Sequence, residues 1–172
     1  MNNNLNPFVP SAVCLQCDGC CRFKEEDSAW RPKMAKEEIT QLHKTGLADL
    51  ILSKEILSKD GAIKTVSCRG EYLCSFFNPQ DHTCRIYSGR PFECQLYPFV
   101  LTRKNQQTVI CVHRLCPFIR QKRWTRDFDD YAAYLKNFFQ EKEVLAFLKR
   151  NPELAGDYSD YQEELEYLFT LP

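Results

Sequence analysis

CLQCDGCC, residues 14–21, places four cysteines in eight positions, and the last two of them are adjacent. Cys14, Cys17 and Cys20 recur every third residue, so a tight loop can turn several thiolates toward one point while its amides donate hydrogen bonds to sulfur. This spacing predicts metal chelation. Because adjacent side chains diverge, Cys20 and Cys21 are poorly placed to bind one small ion together. We therefore expect one of the two to serve a second site, a second metal of a cluster, or no metal.

The chain of 172 residues contains ten cysteines, and it is long enough to bury a hydrophobic core without disulfide bonds. Its first residues, MNNNLNPFVPSAVC, show neither a basic leader nor an uninterrupted apolar stretch, so we expect a soluble, cytoplasmic protein. In a reducing compartment, clustered thiols are more often metal ligands than disulfides. The even number of cysteines also permits a secreted protein with every cysteine in a disulfide, and this alternative stays open.

The remaining six cysteines are spread along the chain. They are Cys68, Cys74, Cys84, Cys94, Cys111 and Cys116. A zinc ribbon would show two separated CxxC pairs around one tetrahedral ion, and only the first group has that form. Iron–sulfur clusters tolerate mixed spacing, and the opening CxxCxxC is similar to the bacterial ferredoxin run without its x3-Cys-Pro ending. The chemistry of the residues alone leaves the metal open.

Charge near the cysteines gives a second indication. Four thiolates around a zinc ion or a common iron–sulfur cube leave a net charge near minus two, which cations and amides must offset. Arg22 and Arg85 each directly follow a cysteine, and Arg90 lies close in sequence to Cys94. We predict that these three arginines lie beside the cofactor. A solvated surface position is the alternative for each of them.

Hydrophobic periodicity predicts helices on both sides of the cysteine-rich middle. One helix is expected from Pro32 to a stop at Gly46, and a second over about 48–58. Between residues 63 and 112, Cys, Phe, Tyr and Val alternate with prolines and glycines, which predicts short strands and loops.

The hairpin candidate pairs 97–103 with 108–112 around the polar turn Lys104-Asn105-Gln106-Gln107. From Asp127 the pattern is helical up to Asn151-Pro152, and a last amphipathic helix is predicted over about 160–169.

All ten cysteines lie between residues 14 and 116. We therefore predict a metal-binding region, 1–126, and a C-terminal helical extension, 127–172, packed on it as one structural domain. The predicted fold class is α+β. In this fold an irregular cysteine-rich loop core with a short β-hairpin is enclosed by N-terminal and C-terminal helices.

Composition and motifs exclude several function classes. Basic and acidic residues balance at 23 each, so no global field points to nucleic acid or to an acidic membrane surface. No segment approaches the roughly 20 apolar residues of a membrane span. Nothing resembles a glycine-rich nucleotide loop, a hydrolase nucleophile elbow or HExxH, so any enzymatic reaction would depend on the metal.

One basic segment, RQKRWTR at residues 120–126, could contact an acidic protein or nucleic acid. The default expectation is a solvated helix start with Trp124 buried.

CLQCDGCC together with EYLCSFFNPQDHTCRIYSGRPFECQLYPF, residues 71–99, resembles the YkgJ or CxxCxxCC family of zinc- or iron-chelating domains. The matched positions are Cys14, Cys17, Cys20, Cys21, Cys74, Cys84, Ile86, Tyr87, Arg90, Pro91, Cys94, Tyr97, Pro98 and Phe99. The resemblance covers roughly residues 14–116 and leaves the helical tail outside. Gln95 stands where the family often carries a basic residue, which weakens any proposal of a cation at that point.

This resemblance implies a metal held by a pool of cysteines. The predicted ligands are Cys14, Cys17, Cys20, Cys21, Cys74, Cys84 and Cys94, with Cys111 and Cys116 as additions and Cys68 the least certain. His82 and His113 could complete a mixed Cys/His site, although surface or hydrogen-bonded histidines are more frequent.

The predicted cofactor is an iron–sulfur cluster of the 4Fe–4S kind, with zinc as the alternative. The flagellin lysine methylases contain a similar cysteine domain, which favours a redox role or a cluster-dependent modification. The alternative is a structural zinc-binding interaction module without catalysis. A protein partner or redox partner is expected, and the sequence decides neither the oligomeric state nor whether the chain is an enzyme.

Overall fold

The computed structural model describes residues 5–17, 19–44 and 56–172, and the chain divides into two compact units. The first unit is Pro10–Gln95, and the second is Leu96–Pro172 together with Asn2–Val9. The division that the sequence predicts after residue 126 falls inside the second unit.

The first unit is built from short elements. Its helices are α1 (Ser11–Cys14), α2 (Lys36–Lys44) and α3 (Phe92–Leu96), whose last residue already belongs to the second unit. Its strands are β1 (Arg22–Phe23), β2 (Thr65–Cys68), β3 (Glu71–Cys74), β4 (Phe77–Asn78) and β5 (Thr83–Cys84). Single 3₁₀ turns cover Gly19–Cys21 and Tyr87–Gly89.

These strands form a three-stranded antiparallel sheet in the order β1-β3-β2 and a separate β4-β5 hairpin. Arg69 and Gly70 join β2 to β3 with positive φ angles of 52° and 86°. Two consecutive residues with positive φ form the tight turn that matches strand twist, and glycine adopts this conformation without steric cost.

The core of the first unit is a cluster of buried apolar side chains. Its members are Phe23, Met34, Leu42, Ile56, Ile63, Leu73, Cys74, Phe76, Phe77 and Ile86. One of the candidate ligands, Cys74, is therefore part of the hydrophobic core itself.

The second unit combines a sheet with a run of helices. Strands β6 (Phe99–Lys104), β7 (Gln107–His113) and β8 (Leu165–Thr170) form an antiparallel sheet in the order β6-β7-β8. Helices α4 (Pro117–Lys122), α5 (Arg126–Phe138) and α6 (Lys142–Arg150) lie between β7 and β8 in sequence. The 3₁₀ segments Pro152–Leu154 and Ser159–Glu164 lead into β8.

The amino-terminal segment packs within the second unit through Phe8. Its ring centroid lies 4.8 Å from that of Tyr131 and 5.7 Å from that of Phe99. The backbone of Asn6 accepts a hydrogen bond from the Tyr131 hydroxyl at 2.6 Å, and its N–H donates to the Tyr134 hydroxyl at 3.0 Å. Aromatic packing and polar contacts therefore tie this segment to α5.

Several predicted elements are confirmed. The α+β class is correct, and the hairpin β6-β7 forms in the register Phe99↔Val112 to Lys104↔Gln107. Its turn is tighter than predicted, because Asn105 and Gln106 alone make it, with φ values of 50° and 64°. The helical region after residue 126 is also present, but it is divided into α5 and α6.

Other predictions are wrong or cannot be judged. The first helix begins at Lys36 instead of Pro32, and its predicted stop lies outside the described residues. Most of the second predicted helix, 48–58, also lies outside them, and its last three residues are not helical, since Leu57 forms a β-bridge with Ile63.

The predicted last helix, 160–169, is wrong. Its first part is a 3₁₀ segment and its second part is β8, which pairs with β7. The open edge of β7 offers this segment a ladder of backbone hydrogen bonds, and that gain outweighs its amphipathic helical pattern. A strand therefore contributes to the C-terminal region, where only helices are predicted.

In the part of the chain that is described, no helix has both the length and the apolar character that crossing a bilayer requires.

Candidate metal centre

Six thiols of the first unit, carried by five elements, interact electrostatically with one another. Cys14 ends α1, Cys20 and Cys21 share the 3₁₀ turn, and the others end β3, end β5 or lie in α3. These other three are Cys74, Cys84 and Cys94. Cys20 interacts electrostatically with each of the five other thiols, so its sulfur is the shared member of the group.

The group runs from the protein interior to solvent. Cys74 is buried, Cys14, Cys21, Cys84 and Cys94 are half-buried, and Cys20 is exposed. All ten cysteines of the chain lie in described residues, and none is joined in a disulfide.

Burial and mutual repulsion keep these thiols protonated when no cation is present. Burial is the largest cause that raises the pKa of Cys74, to about 12, and it also raises the pKa of Cys94 well above its usual value. A hydrogen bond with the neighbouring Cys20 thiol is the largest cause that raises the pKa of Cys21. Neighbouring thiols add to each of these shifts. A metal cation would remove this penalty, because ligand thiols lose their protons on binding.

Arg90 is the cation closest to this group. Its Nη1 donates a hydrogen bond to the Cys14 Sγ at 3.3 Å, and its guanidinium carbon lies 4.5 Å from the centroid of the Tyr87 ring. Burial raises the pKa of Cys14 and the neighbouring Cys20 thiol raises it further, whereas the charge of Arg90 and its hydrogen bond lower it. The charge of Arg90 also lowers the pKa of Cys84, against a larger increase from burial.

The other two predicted arginines have different surroundings. Arg22 donates to the Glu71 carboxylate at 2.9 Å, and its guanidinium lies 5.5 Å from the centroid of the Phe77 ring. Arg85 is exposed, and its backbone N–H donates to the Phe76 carbonyl. A contact of either arginine with a bound cofactor stays a prediction.

The remaining candidate ligands are placed as follows. Cys17 is exposed and follows α1, whereas Cys68 is half-buried at the end of β2. Cys111 and Cys116 are buried in the second unit, the former in β7 and the latter directly before α4. Ligation by Cys17, Cys111 and Cys116 stays a prediction, and no role is assigned to Cys68.

Each histidine candidate has a contact of its own. The His113 Nδ1 lies 2.8 Å from the Tyr97 hydroxyl, and its Nε2 lies 3.2 Å from a carboxylate oxygen of Glu164. Burial lowers the pKa of His113, while Glu164 acts to raise it. The His82 ring packs edge-on against Phe77 with the centroids 6.0 Å apart.

Two carboxylates hold α3, the helix that carries Cys94. Glu38 in α2 accepts hydrogen bonds from the backbone N–H of Phe92 at 2.5 Å and from that of Ala35 at 2.8 Å. Glu93 in α3 accepts one from the Lys33 N–H at 2.7 Å. The first N–H groups of a helix have no intrahelical partner. Glu38 therefore accepts a hydrogen bond from a donor that would otherwise be buried without an acceptor.

Glu38→Ala is expected to lower the free energy of unfolding by about 1–3 kcal/mol, because two backbone donors lose their acceptor. Burial raises the pKa of Glu38, so its contribution is fully present below the unfolded pKa and is lost as pH rises through the higher folded pKa. The stability difference between wild type and Glu38→Gln should therefore shrink as pH rises. Denaturant titrations at pH values between the unfolded and the folded pKa of Glu38 measure this stability difference.

Asp60→Asn is the control, because the stability contribution of Asp60 should change with pH in the opposite direction. A hydrogen bond from the Ser58 hydroxyl lowers the pKa of Asp60, so its contribution is lost as pH falls through that lowered value. Parallel pH profiles for the two variants would contradict the role assigned to Glu38.

The donor set fits a thiophilic metal. Thiolates bind zinc, and they hold iron–sulfur clusters. The Arg90 guanidinium supplies positive charge beside Cys14, and the buried Tyr87 hydroxyl has no hydrogen-bond partner of standard geometry although it lies close enough to lower the pKa of that thiol.

Within the described residues, however, no three Cys, His, Asp or Glu side chains already lie at the spacing that would hold one ion. Metal binding therefore requires the thiols to reorient, which is easiest for the exposed Cys20.

Comparison with known proteins agrees with this donor set. A family model described as "Putative zinc- or iron-chelating domain", CxxCxxCC, matches residues 13–117. The chain belongs to the CxxCxxCC family. This assignment confirms the predicted family and establishes metal chelation as the property that the domain is named for. No curated protein and no solved structure matches the chain.

Sequence reasoning missed two residues of this CxxCxxCC domain. Tyr87 is named above only as a matched position, yet its hydroxyl lies beside Cys14, and its spacing of three residues from both Cys84 and Arg90 is a usable signal. Glu38 gives no such signal, because it lies 54 residues from the helix start that it caps.

Proposed function

We propose that this protein binds an iron–sulfur cluster of the 4Fe–4S kind. The observation that supports the proposal is a group of six thiols, carried by five elements, in which the Cys20 thiol raises the pKa of each of the other five. Zinc and a 4Fe–4S cluster each take four protein thiolates, so a single site of either kind would leave two of the six thiols outside it. Clusters tolerate the irregular spacing that these cysteines show.

The protein residues around the thiols suit such a cofactor. Buried apolar side chains next to Cys74, among them Phe76 and Phe77, limit access of water. Arg90 offsets part of the negative charge that thiolate ligands bring. Glu38 and Glu93 fix the helix that carries Cys94.

A bound cluster would supply one-electron chemistry, and the protein would use it in electron transfer or in a cluster-dependent modification of a partner. The exposed Cys20 marks the face on which a redox partner would approach. A cytoplasmic location agrees with reduced thiols.

Anaerobic purification tests the proposal. We expect brown protein with broad visible absorption that dithionite bleaches, and iron and acid-labile sulfide in equal amounts. Electron paramagnetic resonance of the reduced sample identifies the cluster type. Colourless protein carrying stoichiometric zinc and no sulfide would overturn it.

A second candidate is a structural zinc module that contacts an acidic partner protein. The observation in its favour is Trp124, which is 86% exposed, so the prediction that it is buried is wrong. The Arg123 guanidinium carbon lies 4.3 Å from the centroid of its ring, and Leu115 is also 46% exposed. Exposed tryptophan and arginine are enriched among the residues that dominate protein interfaces.

The ion pairs in this region indicate which cations would face a partner. Lys122 binds Asp127 at 2.8 Å and Arg123 binds Glu166, whereas Arg120 and Arg126 are exposed, and Arg126 lies 3.7 Å from Asp130. Binding to an acidic peptide should therefore weaken in salt and after Trp124→Ala combined with Arg120→Ala, and less after Lys122→Ala. Equal binding by all three proteins would contradict this candidate.

A further inference from the structure

Arg90 occupies a fixed position between the 3₁₀ turn Tyr87–Gly89 and α3. Its backbone is extended, with φ −60° and ψ 145°, and its carbonyl accepts a hydrogen bond from the Gln95 Nε2 at 2.8 Å. Pro91 follows and fixes the next φ angle, which further restrains Arg90. The guanidinium stacks on the Tyr87 ring at 4.5 Å while Nη1 reaches the Cys14 Sγ. One arginine therefore joins the aromatic ring and the sulfur.

Tyr87 presents a second donor to the same sulfur. Its hydroxyl oxygen is buried and has no hydrogen-bond partner of standard geometry. A buried hydroxyl without a partner is costly, so such a group calls for an explanation. Tyr87 is also among the groups that lower the pKa of the Cys14 thiol, so a Cys14 side chain that turns on becoming a ligand would give this hydroxyl an acceptor.

We propose that Tyr87 and Arg90 form a paired donor that positions the Cys14 sulfur as a metal ligand and slows release of the metal. The two groups approach one sulfur, and the ring of one supports the guanidinium of the other. Hydrogen bonds from residues around a metal site orient the ligands and tune the metal, and their loss typically costs 10–100-fold in affinity or activity. Both are positioning residues that act through Cys14. This inference rests on metal binding by the cysteine group, whether the metal is iron or zinc.

The pair has a specific consequence for an iron–sulfur cluster. Hydrogen bonds to sulfur are among the factors that set cluster potentials. They withdraw electron density from the ligand and favour the reduced, more negative state, so removing one should lower the midpoint potential. A residue that merely packed in the core would leave the potential unchanged.

Tyr87→Phe is the sharpest variant, because it removes only the hydroxyl and keeps the ring under Arg90. We expect metal release from the loaded full-length protein into a chromogenic chelator to become about 10-fold faster. For iron-loaded protein, the midpoint potential measured by redox titration should fall. Arg90→Lys keeps the charge but loses the planar guanidinium, and it should also speed release.

The Tyr87→Phe/Arg90→Lys double variant should lose less than the product of the two single effects, because both donors serve one sulfur. Tyr72→Phe is the matched control. Tyr72 is half-buried in β3 and packs on the core of the same unit, and its variant should release metal at the wild-type rate.

Apoprotein unfolding in denaturant separates positioning from folding. Positioning predicts that the Tyr87→Phe apoprotein unfolds at a denaturant midpoint no lower than that of the wild type, because the variant loses a buried hydroxyl that has no partner, while metal release and the potential change. Unchanged release in both Tyr87→Phe and Arg90→Lys, or a stability loss that accounts for faster release, would overturn the inference. If Tyr87→Phe does not fold, then the Tyr87 hydroxyl is required for folding itself, and the inference fails.

Failure here is distinguishable from failure of the proposed function. Zinc in place of iron would contradict the cluster, yet the release assay would still decide the role of the pair. An intact cluster with unchanged release and potential in both variants would overturn the inference and leave the proposed function standing.

Discussion

Cys20→Ser is expected to weaken metal binding by more than about 100-fold, since losing a residue that only supports a ligand already costs about 10–100-fold. The reason is electrostatic, because the Cys20 thiol raises the pKa of each of the five others in the group. Its side chain is exposed, so serine should fold in its place without a large loss of stability. Elemental analysis and competition with a chelator measure the effect.

Cys68→Ser is the matched control for this experiment. Cys68 is half-buried in β2 and belongs to the same unit, and it takes no part in the interactions among the six thiols. Its variant should retain the wild-type metal content. If Cys20→Ser keeps full metal content, or if both variants lose it equally, then the shared role of Cys20 is wrong.

Phe99→Ala is expected to lower the free energy of unfolding by about 3–5 kcal/mol, the usual cost of deleting a buried aromatic ring. Phe99 is 1% exposed and lies in β6. Its ring stacks on Phe128 with a centroid distance of 5.8 Å and approaches Tyr131 at 5.2 Å and Phe8 at 5.7 Å. The variant would leave a cavity among these three rings.

Denaturant unfolding followed by circular dichroism tests this second prediction. Leu115→Ala is its control, because Leu115 is 46% exposed in the same unit and should change stability by less than about 0.5 kcal/mol. A Phe99→Ala variant as stable as the control would show that the aromatic cluster does not carry the stability of the second unit.

Local signals in the sequence account for much of the fold. The hairpin β6-β7 was predictable because a polar turn between two apolar runs involves only neighbouring residues. The same is true of the helical region after residue 126, where apolar residues recur at helical spacing. The grouping of Cys74, Cys84 and Cys94 with the opening cysteines was predictable from the family pattern rather than from spacing alone.

The other predictions are wrong because contacts with residues distant in sequence decide the structure there. Residues 165–170 carry an amphipathic pattern, yet they form β8 because β7, more than 50 residues earlier, supplies backbone partners. Trp124 is apolar enough to predict burial, but its neighbour Arg123 is held by Glu166, and its own ring stays in solvent. In both cases the deciding partner lies outside any window of sequence in which periodicity is measured.

The sequence by itself determined that this chain is an α+β protein of the CxxCxxCC family with thiols grouped for metal chelation. It did so because residue types and short spacings encode ligand chemistry, turns and helix periodicity directly. Tertiary structure alone decided which cation contacts a thiol, that the Tyr87 ring lies under the Arg90 guanidinium, and that Glu38 caps the helix of Cys94. Hydrogen bonds and ion pairs act over about 3 Å, so only the folded chain can show which distant residues meet.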